Sequence, residues 1–401
     1  MKVIQINAVY KIMSTGRTCF DLHDYLLDKG VDCKTVYGLN KGEYHDAAYL
    51  GNLLDHKTHA FMGRLTGKYY YFSNYYTHKL LRHIQKEKPD IIHLGNLHSN
   101  FVSIPKLLKF LAEENIPTVI TLHDCFFYTG QCCHYTSNAC YKWQEECHDC
   151  KFNKLTWFFD RTKKMFDDKR RLFGNIKNLA VIGVSDWITN EARKSPILGG
   201  AKDIERIYNG IDLDSFKQTD SSFKTDRGLE GKKIILGVAS GWSNKKGLRV
   251  FNELADRLSE NEVIVLVGNT NGEILNGKIV NVPATDNVER LVEIYNAADV
   301  FVQASKEETF GKVVAESLAC GTPVVTNTST ANPELVNEEC GIVVEDFTAE
   351  NVYAAIKKIL LQGKDFYSEQ CIRFAHDNFD NTKNLNEYLN LYEKMVKEKV
   401  Y

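Results

Sequence analysis

No segment of this 401-residue chain approaches the roughly 20 consecutive apolar residues that a membrane-crossing helix requires. Met1-Lys2 runs straight into VIQIN without the pattern of a signal peptide, so the expected location is the cytoplasm, where the inner face of the plasma membrane is within reach. Prolines number only seven, and no short-period repeat or low-complexity tract is present. Fibrous, solenoid and disordered classes are thereby set aside. The formal net charge is −2, which lacks the basic surplus of a nucleic-acid binder, and no nucleic-acid partner is expected.

What is present is the composition of an ordinary globular protein, 43% hydrophobic and 25% charged, in a chain long enough for two cores. The small net charge hides an asymmetry. Residues 1–205 carry 28 Lys and Arg against 22 Asp and Glu, and residues 206–401 carry 22 against 30, a balance of +6 and −8. Two readings are open: a front half that faces something anionic, such as a lipid headgroup or a phosphate-bearing acceptor, or charge that serves solubility alone. The stretch Gly67 to Lys79 interleaves six aromatics with Lys68, His78 and Lys79. It fits a peripheral contact at a headgroup interface, or a Tyr-rich helix packed inside its domain.

Strand and helix alternate along the chain. Apolar runs at Lys2–Asn7, Val31–Tyr37, Asp90–Leu94, Thr118–Leu122 and Leu179–Val184 read as strands. Helical stretches separate them, one capped by Ser14 and ending at Gly30, another around Pro105 to Glu114. Asp203 to Phe216 reads as a passage between domains. A second series follows, with strands near Ile234–Ala239, Glu262–Val267, Asp299–Gln303 and Pro323–Thr326, and from Asp365 the chain turns helical. The fold class is α/β: two Rossmann-like, doubly wound domains with a cleft between them, since alternation of this kind builds parallel sheets. The expected boundaries are 1–205, with a Cys-rich insertion at 125–150, then 206–378, then a C-terminal helix at 379–401.

One stretch carries the most chemistry. SKEETFGKVVAESLACGTPVV, from Ser305 to Val325, sets Glu308 and Glu316 eight residues apart around Gly311, which opens a helix. The unpaired amides of a helix's first turn attract an anion. The two carboxylates then read as hydroxyl acceptors flanking a phosphate site, Glu308 for a sugar and Glu316 for a second polyol; an exposed helix face is the other reading of an isolated pair.

The run from Ala297 to Val325, AADVFVQASKEETFGKVVAESLACGTPVV, resembles the signature of glycosyltransferase family 4, retaining enzymes of GT-B fold that use nucleotide sugars. The resemblance extends through STGR (Ser14 to Arg17), TLHD (Thr121 to Asp124), NGID (Asn209 to Asp212), KKG (Lys245 to Gly247) and VLVG (Val265 to Gly268), in the family's order. It implies an acceptor-side first domain, a nucleotide-sugar-binding second domain, and a last helix that returns to the first. It also implies a catalytic set of Glu308, His123 and Lys246, with His123 touching the donor sugar and Lys246 the phosphate. Gly16, Lys245, Phe310, Gly311 and Glu316 join the donor side; Arg17, His93 and His98 are acceptor-side candidates. The chain departs from the family twice. Gly241 stands where the family has an arginine five positions before Lys246, and Ala331-Asn332 replaces the usual Gly-Gly before Pro333-Glu334.

No Asp-x-Asp motif occurs in a metal-binding context, so no catalytic metal is expected, and the leaving diphosphate would be met by Lys246, helix amides near Gly311 and the Gly16 loop. Retention could follow front-face attack assisted by the departing phosphate or a double displacement through a carboxylate. A separate feature is the cluster Cys125, Cys132, Cys133, Cys140, Cys147 and Cys150. In a reducing compartment disulfides are disfavoured, and Cys132, Cys140, Cys147 and Cys150, with Cys133 as alternate to Cys132, have spacings suited to a structural zinc. Scattered buried thiols are the other reading.

The leading function is transfer of a sugar from a UDP- or GDP-sugar to a hydroxyl of a glycan or lipid-linked acceptor, in surface polysaccharide or glycoconjugate synthesis. The alternatives are a nucleotide-sugar epimerase or phosphorylase of the same fold, and a non-catalytic sugar-nucleotide-binding partner subunit. Donor isomerisation without acceptor would mark the epimerase. A phosphorylase would need a pyridoxal-binding lysine in a longer chain.

Overall fold

A computed structural model describes residues 1–152, 155–285 and 287–399, in two compact units: 1–207 together with 385–401, and 208–384. In the first unit the elements run β1 (Lys2–Asn7), α1 (Met13–Asp28), β2 (Asp32–Tyr37), β3 (Ala47–Tyr49), α2 (Leu53–Thr66), α3 (Asn74–Glu87), β4 (Ile91–Leu94), α4 (Ile104–Glu113), β5 (Thr118–Leu122), α5 (Thr162–Gly174), β6 (Leu179–Gly183), α6 (Asp186–Lys194) and β7 (Asp203–Arg206). In the second they run α7 (Phe223–Asp226), β8 (Lys233–Gly241), α8 (Leu248–Ala255), β9 (Glu262–Asn269), β10 (Ile279–Val282), α9 (Val288–Ala297), β11 (Val300–Gln303), α10 (Lys312–Ala319), β12 (Val324–Asn327), β13 (Gly341–Val344), α11 (Ala349–Gln362) and α12 (Lys364–Asn378). The last helix, α13 (Asn381–Lys399), contributes its residues from Leu385 onward to the first unit.

Each unit is a wholly parallel sheet, ordered β3-β2-β1-β4-β5-β6-β7 in the first and β10-β9-β8-β11-β12-β13 in the second. Parallel strands covered by helices on both faces must be apolar throughout. Accordingly β4, β5, β6, β11 and β12 are buried at every residue. The strand order reverses direction between β1 and β4 in one unit and between β8 and β11 in the other. Those switch points open a crevice at the strands' C-terminal ends, where doubly wound sheets bind ligands.

Three expectations change. Ser14 does not cap α1: the helix begins at Met13, its N-cap is Ile12, and Ser14 lies exposed in the first turn. The passage from Asp203 begins with β7, which pairs with β6 and closes the first sheet. Gly67 to Lys79 is not one helix. Tyr69 and Tyr70 are buried in the loop before α3, Tyr71 donates to Asp168 at 2.7 Å, and Tyr75 is the exposed ring. Side-chain packing has absorbed most of that aromatic surface.

α13 is held by one core. Leu385, Tyr388, Leu391, Tyr392 and Met395 share a hydrophobic cluster with Val3, Leu22, Leu26, Ile91, Val119 and Ala180. A polar chain runs through it: His93 Nε2 meets Thr121 Oγ1 at 2.8 Å, and His93 Nδ1 meets the Tyr392 hydroxyl at 2.6 Å.

Burial pushes His93 down to about 3 and His59 to about 4, from an ordinary value of 6.5. The unfolded chain therefore takes up protons near pH 6.5 while the folded chain does not. Stability is full above that pH and is lost as pH falls toward 4, each histidine adding a slope of about 1.4 kcal/mol per pH unit. Urea midpoints measured between pH 7 and 4.5 are expected to fall steadily; a flat profile contradicts this account.

Candidate active site

In the second unit the switch point is built by two loops that touch. β8 ends at Gly241 and leads into a 3-10 turn over Asn244–Lys246; β11 ends at Gln303 and leads to Gly311 at the start of α10. The Lys306 amide donates to the Lys245 carbonyl at 2.9 Å. Gly247 sits at φ 80°, and a Cβ there would overlap Ala304, so this residue must be glycine for both conformation and space. The result is an ion pair across the switch point: Lys246 Nζ donates to Glu308 Oε1 at 2.5 Å, with both side chains partly exposed.

Beside this pair stands the N-terminus of α10. Its N-cap is Gly311 in the left-handed region, φ 98°, with no side-chain cap, so the first-turn amides lack the partner that Ser or Asp would supply. Glu316 is the fifth residue of that helix, one turn in. It accepts from the Tyr295 hydroxyl at 2.8 Å, and α9 thereby fixes its carboxylate. Phe310 is buried against Tyr208 and Phe379, with ring centroids at 5.6 and 5.5 Å. Its place in the structure is a packing pin beneath the Gly311 turn instead of a donor-facing surface. Lys245 is exposed on the same 3-10 turn as Lys246, and its side chain makes no ion pair among the described residues.

The first unit has its own switch point. The Asn7 carboxamide joins both loops there, accepting from the Asn96 amide at 2.7 Å and donating to the Val9 and Thr15 carbonyls at 2.8 and 3.3 Å. Gly16 is buried in the first turn of α1, not in a loop, and a Cβ would meet Val9 at 3.1 Å. Lys11 and Met13 enter that turn with φ of 62° and 57°, a strained approach for non-glycine residues. Arg17 is exposed one residue further on.

His123 follows β5 and lines a cavity with Gln5, Asn7, Thr18 and Gly95. His98 Nε2 stands 3.4 Å from Asp124, its ring lies over Phe126, and burial lowers its pKa. His93, by contrast, has both ring nitrogens engaged within the fold, which makes it a tether for α13 and leaves no ring atom for an acceptor hydroxyl.

The cysteines separate into two groups. Cys133 joins His98 and Asp124, the ligand atoms of the three lying within 4.8 Å of one another. Cys132, Cys140, Cys147 and Cys150 instead line one pocket on the insertion. A hydrogen bond from the Cys132 thiol pulls Cys150 down to about 6.

Two family models match the chain. One, for Glycosyltransferase Family 4, covers residues 15–215, half of the chain; the other, for Glycosyl transferases group 1, covers residues 232–362. The chain belongs to glycosyltransferase family 4. Among curated relatives, the colanic acid biosynthesis glycosyl transferase WcaC of Escherichia coli K12 is 23% identical over 98% of this chain and 100% of its own length. The uncharacterized glycosyltransferase MJ1069 of Methanocaldococcus jannaschii is 22% identical over 61% of this chain, which spans 64% of that relative. Among solved structures, sucrose-phosphate synthase from Thermosynechococcus elongatus superposes with a TM-score of 0.71 at 16% identity, covering 99% of this chain and 100% of the other. Anabaena Alr3699/HepE, solved with UDP, gives 0.69 at 15% identity over 98% and 100%. These likenesses establish the GT-B fold of the family 4 chain.

Sequence reading missed the residues that hold this family 4 site in shape. Thr330, at φ 52°, receives the Glu308 amide on its hydroxyl at 2.9 Å. Asn332, where the family has glycine, is buried and donates to the Ser305 carbonyl at 3.0 Å and to Asn327 at 2.8 Å, tying the ends of β11 and β12 together. At the missing arginine, Gly241 faces the Asn271 carboxamide. The available signal was small polar residues just past strand ends, which pattern alone cannot pair.

Proposed function

We propose that the chain is a retaining glycosyltransferase that moves a sugar from a nucleotide diphosphate sugar, UDP- or GDP-linked, to a hydroxyl of a glycan or lipid-linked acceptor without a catalytic metal. The observation that carries this is the Lys246–Glu308 pair at the switch point, beside the uncapped α10 N-terminus. An ammonium and first-turn amides are the groups that stabilise a departing diphosphate. Glu308 accepts from a sugar hydroxyl and Glu316 from the ribose. In the reaction the bond from the anomeric carbon to phosphate oxygen breaks, a bond to the acceptor oxygen forms, and the acceptor's proton passes to the departing phosphate. A carboxylate already paired with an ammonium is a weakened nucleophile, which supports front-face transfer over double displacement. His123 and Arg17 are the first unit's candidates for contacts with sugar and acceptor.

HepE, solved with UDP, supports a uridine nucleotide as donor, and WcaC, named for colanic acid biosynthesis, supports a surface polysaccharide as product. No helix of the described residues is long and apolar enough to cross a membrane. Peripheral contact is supported by the exposed rings of Phe61, Trp157, Phe158 and Phe159 near Arg64 and Arg161; co-sedimentation with anionic vesicles, lost on Trp157→Ala with Phe158→Ala, tests it. The transfer reading is tested by a thermal-shift panel of UDP-, GDP- and ADP-sugars, because a ligand at 100 times its dissociation constant adds about 2.7 kcal/mol. One nucleotide class is expected to stabilise the protein, and turnover of that donor must need an acceptor. Isomerised donor without acceptor would favour an epimerase.

A further inference from the structure

Between His123 and α5 the chain runs for nearly forty residues with no strand or α-helix among those described, only 3-10 turns over Phe126–Tyr128, Thr136–Asn138 and Lys142–Gln144. Segments that long without regular structure are uncommon inside compact domains unless something fixes them. Buried Tyr128, Tyr135 and Trp143 form a small aromatic core. Around it the four cysteines are brought to one pocket from three separate turns.

We propose that Cys132, Cys140, Cys147 and Cys150 bind one structural zinc as a tetrathiolate. Three observations carry this. A backbone amide already points at one of the sulfurs: Gly130 donates to Cys147 Sγ at 3.3 Å. Amides in that position stabilise metal-bound thiolates. The Cys147–Cys150 turn is held by Lys142, whose Nζ donates to the His148 carbonyl at 3.1 Å.

The third observation is Lys169, a buried lysine on α5. Its Nζ donates to the carbonyls of Phe126 at 2.5 Å and Thr129 at 3.0 Å, yet it has no carboxylate at ion-pair distance among the described residues. Burial pushes Lys169 down to about 7, and its titratable neighbours are Cys133, Cys147, Asp124 and Cys132, whose thiols carry charge only as thiolates. A buried ammonium needs counter-charge. A zinc tetrathiolate is dianionic and supplies it, whereas a cation on His98, Asp124 and Cys133 would neutralise the negative groups there and leave Lys169 uncompensated. No three of the four sulfurs lie within 4.8 Å of one another. Zinc at its usual bond length sets sulfurs about 3.8 Å apart, so binding draws the three turns together by about 1 Å or more.

The test is metal analysis of full-length protein purified with reductant. About one zinc per chain is expected, with near-complete loss in the Cys147→Ser/Cys150→Ser variant and full retention in Cys133→Ser. Wild-type protein without zinc, even after incubation with zinc sulfate and desalting, overturns the site. So does metal lost in Cys133→Ser but kept in Cys132→Ser, which would move the ion to His98 and Asp124. If the double variant does not fold, cobalt loading of the wild type decides. The visible bands of a tetrahedral cobalt tetrathiolate are expected, and the weak spectrum of an oxygen-rich site refutes the assignment.

Discussion

Glu308→Gln is expected to lower turnover by about 10²- to 10³-fold while nucleotide affinity stays nearly unchanged, since an interaction made with the sugar in the transition state reports in kcat. The substitution keeps the shape of the side chain and its hydrogen bond with the Thr330 hydroxyl, which the backbone amide makes. What it removes is the charge opposite Lys246. Glu316→Ala should behave differently, weakening nucleotide binding as well, because Tyr295 holds that carboxylate at a fixed place one turn into α10. Isothermal titration with nucleoside diphosphate, set beside steady-state kinetics, separates the two. Near-normal turnover in Glu308→Gln would remove Glu308 from the reaction.

Lys246→Ala is expected to cost on the order of 2 to 4 kcal/mol in kcat/KM, comparable to the loss of one preorganised donor at a developing oxyanion. Little else should compensate, because Gly241 offers no cation where the family has arginine. Lys245→Ala should be far milder: its side chain is exposed, while its backbone carbonyl does the local work by accepting from Lys306. A crippled Lys245→Ala beside a nearly silent Lys246→Ala would shift the phosphate contact by one residue. Transfer should also persist through brief EDTA treatment; strict dependence on added Mg²⁺ would contradict a leaving group met by the ammonium and helix amides alone. A double-mutant cycle of Lys246→Ala with Glu308→Gln is expected to be non-additive, since the two side chains are in direct contact.

The grouping of Glu308, Gly311 and Glu316 at one turn was legible because these residues lie close together along the chain. Glu308, Gly311 and Glu316 occupy nine residues at one strand-to-helix turn, and a local motif specifies its own geometry. Others misled. Phe310 sits in the same motif but turns inward onto Tyr208 and Phe379, and His93 ends a strand as a functional residue would, yet bonds across nearly 300 residues to Tyr392. Ser14 looked like a cap and is not one, since the helix starts before it.

By itself the sequence determined the two alternating α/β series, the family, and the stretch of chain that carries the carboxylates, because each depends on spacing over a few dozen residues. Only the tertiary structure decided that Lys246 and Glu308, 62 residues apart, meet at 2.5 Å, and that Cys133 turns to His98 and Asp124 while Cys132 turns to Cys150. Strand order in a parallel sheet places the ends of β8 and β11 side by side although α8, β9, β10 and α9 intervene in the chain, and two adjacent cysteines in an irregular turn have different partners. Neither relation leaves a periodic trace, since both come from the packing of segments distant in sequence.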